Sequence, residues 1–179
     1  KFIYTYDGCS NLTAFKMTAG NVTNKEILLG YDKNLNVIRF GPFTFNRTGP
    51  GKRVGSMADG TVNVGKEYDA NGRIKGLTYT IGGTEVYKVD HIFDKRGYLT
   101  DKTVTTSAGQ DIYSYGYGDD GQLKSVTKQG PDGPFTESYD YDDDRNRIYR
   151  EVTGSSAESA EYGDYNLLKS SGNYSYVFD

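Results

Sequence analysis

An aromatic residue, a short polar turn and an aliphatic residue six positions after the aromatic recur along this chain. No other feature constrains its fold as much. The pairs are Tyr6 and Leu12, Tyr31 and Val37, Tyr68 and Ile74, Phe93 and Leu99, Tyr117 and Leu123, and Tyr162 and Leu168. Another copy, YDDDRNRI, runs one residue long, from Tyr141 to Ile148, and Phe178-Asp179 opens a further one. Units therefore start near 6, 31, 68, 93, 117, 141 and 162; residues 41–57 are an insertion that delays the third. Self-similarity at this period marks a repeat architecture. Each unit is one supersecondary element that buries its apolar face only against its neighbours.

The unit reads as a β-hairpin. Aromatics alternate before the turn, as at Tyr4 and Tyr6, Tyr113, Tyr115 and Tyr117, and Tyr174, Tyr176 and Phe178. A period of two is one face of a strand. Gly72, Gly97 and Gly121 supply the positive φ that a hairpin loop needs, and Asn11, Asn34 and Asn71 suit the same chemistry. On the return strand the next apolar residue often comes three later, as in Leu12 and Phe15 or Leu123 and Val126. That offset leaves two readings open: opposite faces, or a bulge. No stretch has helical periodicity with caps. The expectation is an all-β chain of stacked hairpins, forming an open β-solenoid or part of a spiralling β-shell over residues 1–179, with equivalent aromatics meeting between units.

Composition narrows the function classes. Aromatics make up 14% of the residues, which argues against a disordered reading of the low hydrophobic content. Net charge is −3 and there is no basic run, so nucleic acid is not an expected partner. No apolar run reaches membrane-spanning length, and no direct membrane contact is expected. The opening KFIYTYDG reads as the interior of a strand, as in a mature product or an excised segment.

The repeated Y-D-x-x-G-x-L pattern resembles the YD, or Rhs, repeat, a family that includes bacterial toxin shells and the animal teneurins. GPFTFNRTGPGKRV (41–54), YDANGRIKGLTYTI (68–81) and YSYGYGDDGQLKSV (113–126) resemble teneurin segments in the same order. The resemblance implies a β-shell belonging to a type II cell-surface adhesion receptor. Its partners would be a second copy of the receptor or an adhesion receptor of the latrophilin type. In bacterial relatives the shell encloses a toxic domain. The chain has no DPxG signature, so no autoproteolytic residues carry over, and no partner-binding residues are transferred.

Candidate sites are few. Four N-glycosylation sequons begin at Asn46, Asn21, Asn11 and Asn173; Asn46, in the insertion, is the first choice. Cys9 and His91, the sole cysteine and histidine, have no local catalytic signature. His91 is expected on the face of Phe93. Asp142, Asp143 and Asp144 lack the alternating spacing that wraps a chain around calcium and read as solvated turn acids. No cofactor is expected. The insertion 41–57 is expected to pack.

Three functional expectations follow. The first is a non-enzymatic extracellular structural segment of an adhesion receptor. The second is a self-assembling unit: FIYTYD (2–7) and YSYVFD (174–179) share one repeat phase, so head-to-tail pairing is geometrically open. The third is a toxin-encapsulating shell.

Overall fold

In the computed structural model of the protein, which describes residues 1–17 and 26–178, the chain is all-β. The stacked-hairpin class expected from the repeat is the class observed. Asn21 and Asp179 lie outside the described residues. The chain divides into two compact units, Lys1–Val89 and Asp90–Asp179.

The first unit contains β1 (Phe2–Tyr6), β2 (Leu12–Met17), β3 (Glu26–Tyr31), β4 (Val37–Phe40), β5 (Phe43–Asn46), β6 (Ser56–Ala58), β7 (Val62–Tyr68) and β8 (Ile74–Ile81). Each pairs antiparallel with the next. The strand β9 (Thr84–Phe93) runs through the division between the units. The second unit contains β10 (Leu99–Thr106), β11 (Gly109–Tyr117), β12 (Leu123–Gln129), β13 (Phe135–Tyr141), β14 (Arg147–Val152), β15 (Glu158–Tyr162), β16 (Leu168–Ser171) and β17 (Tyr174–Ser175). These also pair antiparallel in chain order.

Seven repeat turns share one backbone circuit with Asp, or Gly in two cases, after the aromatic. The first turn residue donates its N–H to the carbonyl four residues on and accepts from the N–H three residues on. Asp69 does so with Arg73 (2.9 Å) and Gly72 (3.0 Å), and Gly118 with Gln122 (2.9 Å) and Gly121 (3.0 Å). The residue three positions after the first takes positive φ: Ser10, Leu35, Gly72, Gly97, Gly121, Arg145 and Asn166 in successive turns. Asn11 and Asn34 therefore do not supply the left-handed position; Ser10 and Leu35 do.

The open question about the return strand resolves as a bulge. Tyr4 pairs with Phe15, Thr5 with Ala14 and Tyr6 with Leu12, so Thr13 drops out of register. The same shift occurs beside Tyr31, Tyr68, Tyr117, Tyr141 and Tyr162. Leu12 and Phe15 thus both oppose residues of the Tyr4–Tyr6 face. The offset of three keeps a face once one residue is bulged out. The reading of Tyr141 to Ile148 as a longer turn is corrected by the register. Tyr141 pairs with Arg147 and Asp142 closes onto Asn146, as in the other units. Arg147 holds the aliphatic place and Ile148 is the bulged residue.

The insertion becomes sheet rather than a loose loop. Phe43 and Phe45 alternate inward on β5, opposite Phe40 and Met57, and a 3-10 turn at Pro50–Lys52 leads into β6. The hydrophobic core is thin: Ala14, Val64, Val89 and Val126 are the buried apolar residues among those described. A sheet with so few fully buried side chains depends on its ladders and on half-buried rings.

Candidate functional site: the inter-repeat tyrosine ladder

The repeated aromatic joins one unit to the one before it. The Tyr31 hydroxyl donates to the carbonyl of Leu12 (2.9 Å), that of Tyr117 to Leu99 (3.0 Å) and that of Tyr141 to Leu123 (2.9 Å). In each case the acceptor is the repeat's own aliphatic residue, one unit earlier. For Leu12 and Leu123 that carbonyl stands next to the bulge, where the ladder is locally interrupted and an acceptor is left over. Burial pushes the Tyr117 hydroxyl above its ordinary range, so it stays a donor. Ring contacts add to the junctions. Tyr98 stacks on Tyr117 at 4.9 Å, and the equivalent residues Phe15 and Phe40 meet at 6.1 Å. The expected meeting of equivalent aromatics thus occurs nine residues into the unit, while the repeat tyrosine itself reaches a backbone carbonyl.

At the insertion the ladder changes hands. Tyr68 donates to Val54 (2.8 Å) rather than to Val37. The Val37 carbonyl is instead taken by Arg47, through Nε at 3.1 Å and Nη2 at 3.0 Å, and Nη1 of the same guanidinium reaches the Lys52 carbonyl at 3.1 Å. Arg53 donates to the Gly72 carbonyl in the next repeat turn. Five fixed donors in one plane let a guanidinium serve two carbonyls at once, which a hydroxyl cannot do. Composition alone had no signal for this role.

Phe93 occupies a repeat position without a hydroxyl. Among the described residues Tyr162 makes no such bond; the unit before it carries Arg147 in the aliphatic place. Tyr6 and Phe178 are exposed, at 58% and 54%. The inner repeat aromatics are half-buried.

The turn aspartates form a second recurring group. Oδ1 of Asp32 accepts the N–H groups of Asn34 (2.8 Å) and Asn36 (2.9 Å), and the Asn36 amide clamps the same carboxylate. Asp7 and Asp142 are held in the same way by Asn11 and Asn146. These bonds favour the ionised form. The Asn11 amide lowers the pKa of Asp7, the Asn36 backbone that of Asp32, and the Asn146 amide that of Asp142. At Asp69 burial pushes upward, but the N–H and guanidinium of Arg73 outweigh it. A carboxyl with a depressed folded-state pKa contributes stability above its unfolded value, about 3.9, and loses it as pH falls through the folded value. The melting temperature is therefore expected to hold from about pH 7 to 5 and to fall steadily below about pH 4. A melting temperature unchanged between about pH 5 and 2 would contradict the clamps.

The other candidate residues lie apart from this ladder. Asn46 is exposed on β5, and Asn173 is exposed in the turn between β16 and β17. Both Asp7 oxygens accept from the Asn11 amide. His91 and Phe93 share a face with ring centroids 6.0 Å apart. Cys9 is exposed in the first turn, where its N–H donates to Asp7. Among the described residues no group of His, Cys, Asp and Glu is arranged to hold a metal, and no helix is long and apolar enough to cross a membrane. Within each unit the arrangement joins neighbouring hairpins.

The fold is shared with bacterial toxin proteins. The chain aligns over 94% of its length with a chain in the crystal structure of TcdB2-TccC3-Cdc42, at 13% identity and a TM-score of 0.66. It aligns over 95% with one in the Photorhabdus luminescens Tc holotoxin pore, at 12% identity and a TM-score of 0.61. It spans only 11% and 12% of those chains. At such identity the likeness carries the fold alone. No curated protein matches the sequence. The family model described as Teneurin YD-shell matches residues 1–179, so this chain belongs to the teneurin YD-shell family and is a structural segment of such a shell.

Proposed function

We propose that the segment is a non-enzymatic structural part of an extracellular, cell-surface adhesion protein. In this reading the parent protein binds protein partners, either a second copy or an adhesion receptor of the latrophilin type. The observation that carries the proposal is the tyrosine ladder, with its arginine relay across the insertion. The recurring geometry joins neighbouring repeats: tyrosine hydroxyls point at backbone carbonyls rather than at a substrate. GPFTFNRTGPGKRV (41–54), one of the three segments that resemble teneurins, supplies both arginines of the relay.

An exposed sequon supports the extracellular part of the reading. In the protein isolated from its source, Asn46 is expected to carry an N-glycan that peptide N-glycosidase removes, and intact cells are expected to show the protein by surface labelling. A glycan-free protein reached only after lysis would favour the toxin-shell reading.

A second reading is head-to-tail self-association of the polypeptide, for which the support is the shared repeat phase of FIYTYD (2–7) and YSYVFD (174–179). Sedimentation that stays monomeric over a wide concentration range would remove this reading.

A further inference from the structure

We infer that Asn71 and Gly72 form a self-modifying pair, in which Asn71 deamidates to aspartate or isoaspartate when the repeat turn that holds it opens.

The pair carries its own reactants. In deamidation the backbone nitrogen of the residue after an asparagine attacks the side-chain carboxamide carbon. The attack is least obstructed when that next residue has no Cβ. Asn71 is the only asparagine in the chain followed by glycine. The fold fixes that glycine, because the turn places this position in the left-handed region, at φ 76°. The carboxamide is also uncommitted. Those of Asn11, Asn36 and Asn146 donate to the aspartates that open their turns, at 3.0, 3.1 and 3.0 Å. Asn71 stands two places after Asp69 rather than four, and no hydrogen bond among the described residues engages its side chain.

The same turn keeps the pair unreactive while it is closed. The N–H of Gly72 donates to the Asp69 carbonyl (3.0 Å), so the attacking nitrogen keeps its proton and its direction. Oδ1 of Asp69 accepts the N–H groups of Asn71 (2.9 Å) and Arg73 (2.9 Å), which fixes the backbone on both sides of that nitrogen. The Arg73 guanidinium holds the same carboxylate through Nε at 2.6 Å, and Arg53 donates to the Gly72 carbonyl. Reaction therefore requires a local opening that breaks the Gly72–Asp69 bond. A matched position lacks the chemistry. Asn34 holds the same place in the Asp32 turn, with the same N–H bond (2.8 Å), but Leu35 follows it and brings a Cβ.

In the reaction the Gly72 N–H gives its proton to a solvent base, and the nitrogen forms a bond to Cγ of Asn71. The bond from Cγ to the carboxamide nitrogen breaks, and that nitrogen takes a proton and leaves as ammonia. Water then opens the five-membered imide. Opening at Cγ gives aspartate. Opening at the main-chain carbonyl gives isoaspartate, whose main chain is one carbon longer. Water is the sole co-reactant, and nothing is oxidised or reduced. The longer chain cannot keep both closures of the Asp69 turn, and the Gly72 carbonyl that accepts from Arg53 is displaced with them.

The test incubates the whole chain at neutral pH, folded and in guanidinium chloride, and follows Asn71 and Asn34 by peptide mapping with isoaspartate detection. Asn71 is expected to convert in denaturant and to convert more slowly by about tenfold or more in the folded chain, in step with Gly72 amide exchange. Asn34 is expected to stay intact over the same time. Asp69→Ala removes the acceptor of two N–H groups and is expected to quicken Asn71 conversion in the folded chain by about tenfold, while Asp32→Ala leaves it unchanged. Equal rates in the folded and denatured chain overturn the inference, as does conversion of Asn34 alongside Asn71. An unchanged rate in folded Asp69→Ala also overturns it. Where that variant does not fold, the wild-type rate against Gly72 amide exchange decides, and a rate independent of that exchange overturns the inference.

Discussion

Tyr117→Ala is expected to lower the stability of the second unit by about 3 kcal/mol, and Tyr117→Phe by about 1 kcal/mol. The alanine variant loses three things at once. The ring stacked on Tyr98 at 4.9 Å disappears, with the hydroxyl bond to Leu99 and the half-buried surface between β10 and β12. Truncating a buried aromatic costs about 3–5 kcal/mol, and partial exposure of Tyr117 places it at the low end. The phenylalanine variant keeps the ring and leaves one carbonyl without its donor. Urea unfolding with a probe confined to residues 90–178 reads both numbers. Equal effects of the two variants would mean that the hydroxyl, not the ring, dominates the junction. No effect from either would remove the ladder as the device that joins these units.

The second large effect is expected at Gly49, in the insertion. Its backbone, φ −69° and ψ 164°, is one that any residue adopts, so glycine is not needed there for conformation. It is needed for space. A Cβ at Gly49 would sit 2.7 Å from Cε2 of Tyr68 and 3.0 Å from the Arg53 carbonyl oxygen. Relief requires the Tyr68 ring to move, and that ring carries the hydroxyl bonded to Val54. Gly49→Val is expected to cost about 2–3 kcal/mol, as overpacking does, and to speed amide exchange over residues 53–68. Gly65→Ala is the matched control: a Cβ there meets nothing within 4 Å, so its effect should stay within about 0.5 kcal/mol. If Gly49→Val and Gly65→Ala unfold alike, the insertion is not docked on Tyr68.

The hairpins were legible because their determinants are local. The Asp carboxylate, the N–H groups it accepts and the left-handed residue all lie within four residues of one another, as in the Asp69–Arg73 turn. A contact that short is written into neighbouring side chains, so the motif could be read before any strand was placed. Where local identity varied, the reading slipped. Arg147 holds an aliphatic place, so the apolar Ile148 drew the apparent motif one residue too far, although the backbone circuit from Asp142 to Asn146 is unchanged. The positive φ at Leu35 and Arg145 was hidden for a related reason: the turn circuit imposes it on residues that do not favour it.

Local pattern in the chain sets the repeat, the aromatic face of each outgoing strand and the all-β class, whereas the face of the return strand depends on a bulge that appears only in the register. Which groups join one unit to the next was decided by the tertiary structure. The acceptor of the Tyr31 hydroxyl lies nineteen residues away in the sequence, and that of Tyr141 eighteen. Both are backbone carbonyls, which every residue possesses and which no side-chain pattern singles out. The bulge makes such a carbonyl available, and only the pairing of adjacent hairpins brings a hydroxyl to it. For the same reason Arg47, unremarkable as one charge among many, becomes the group that holds the Val37 carbonyl once β4 and β5 pair.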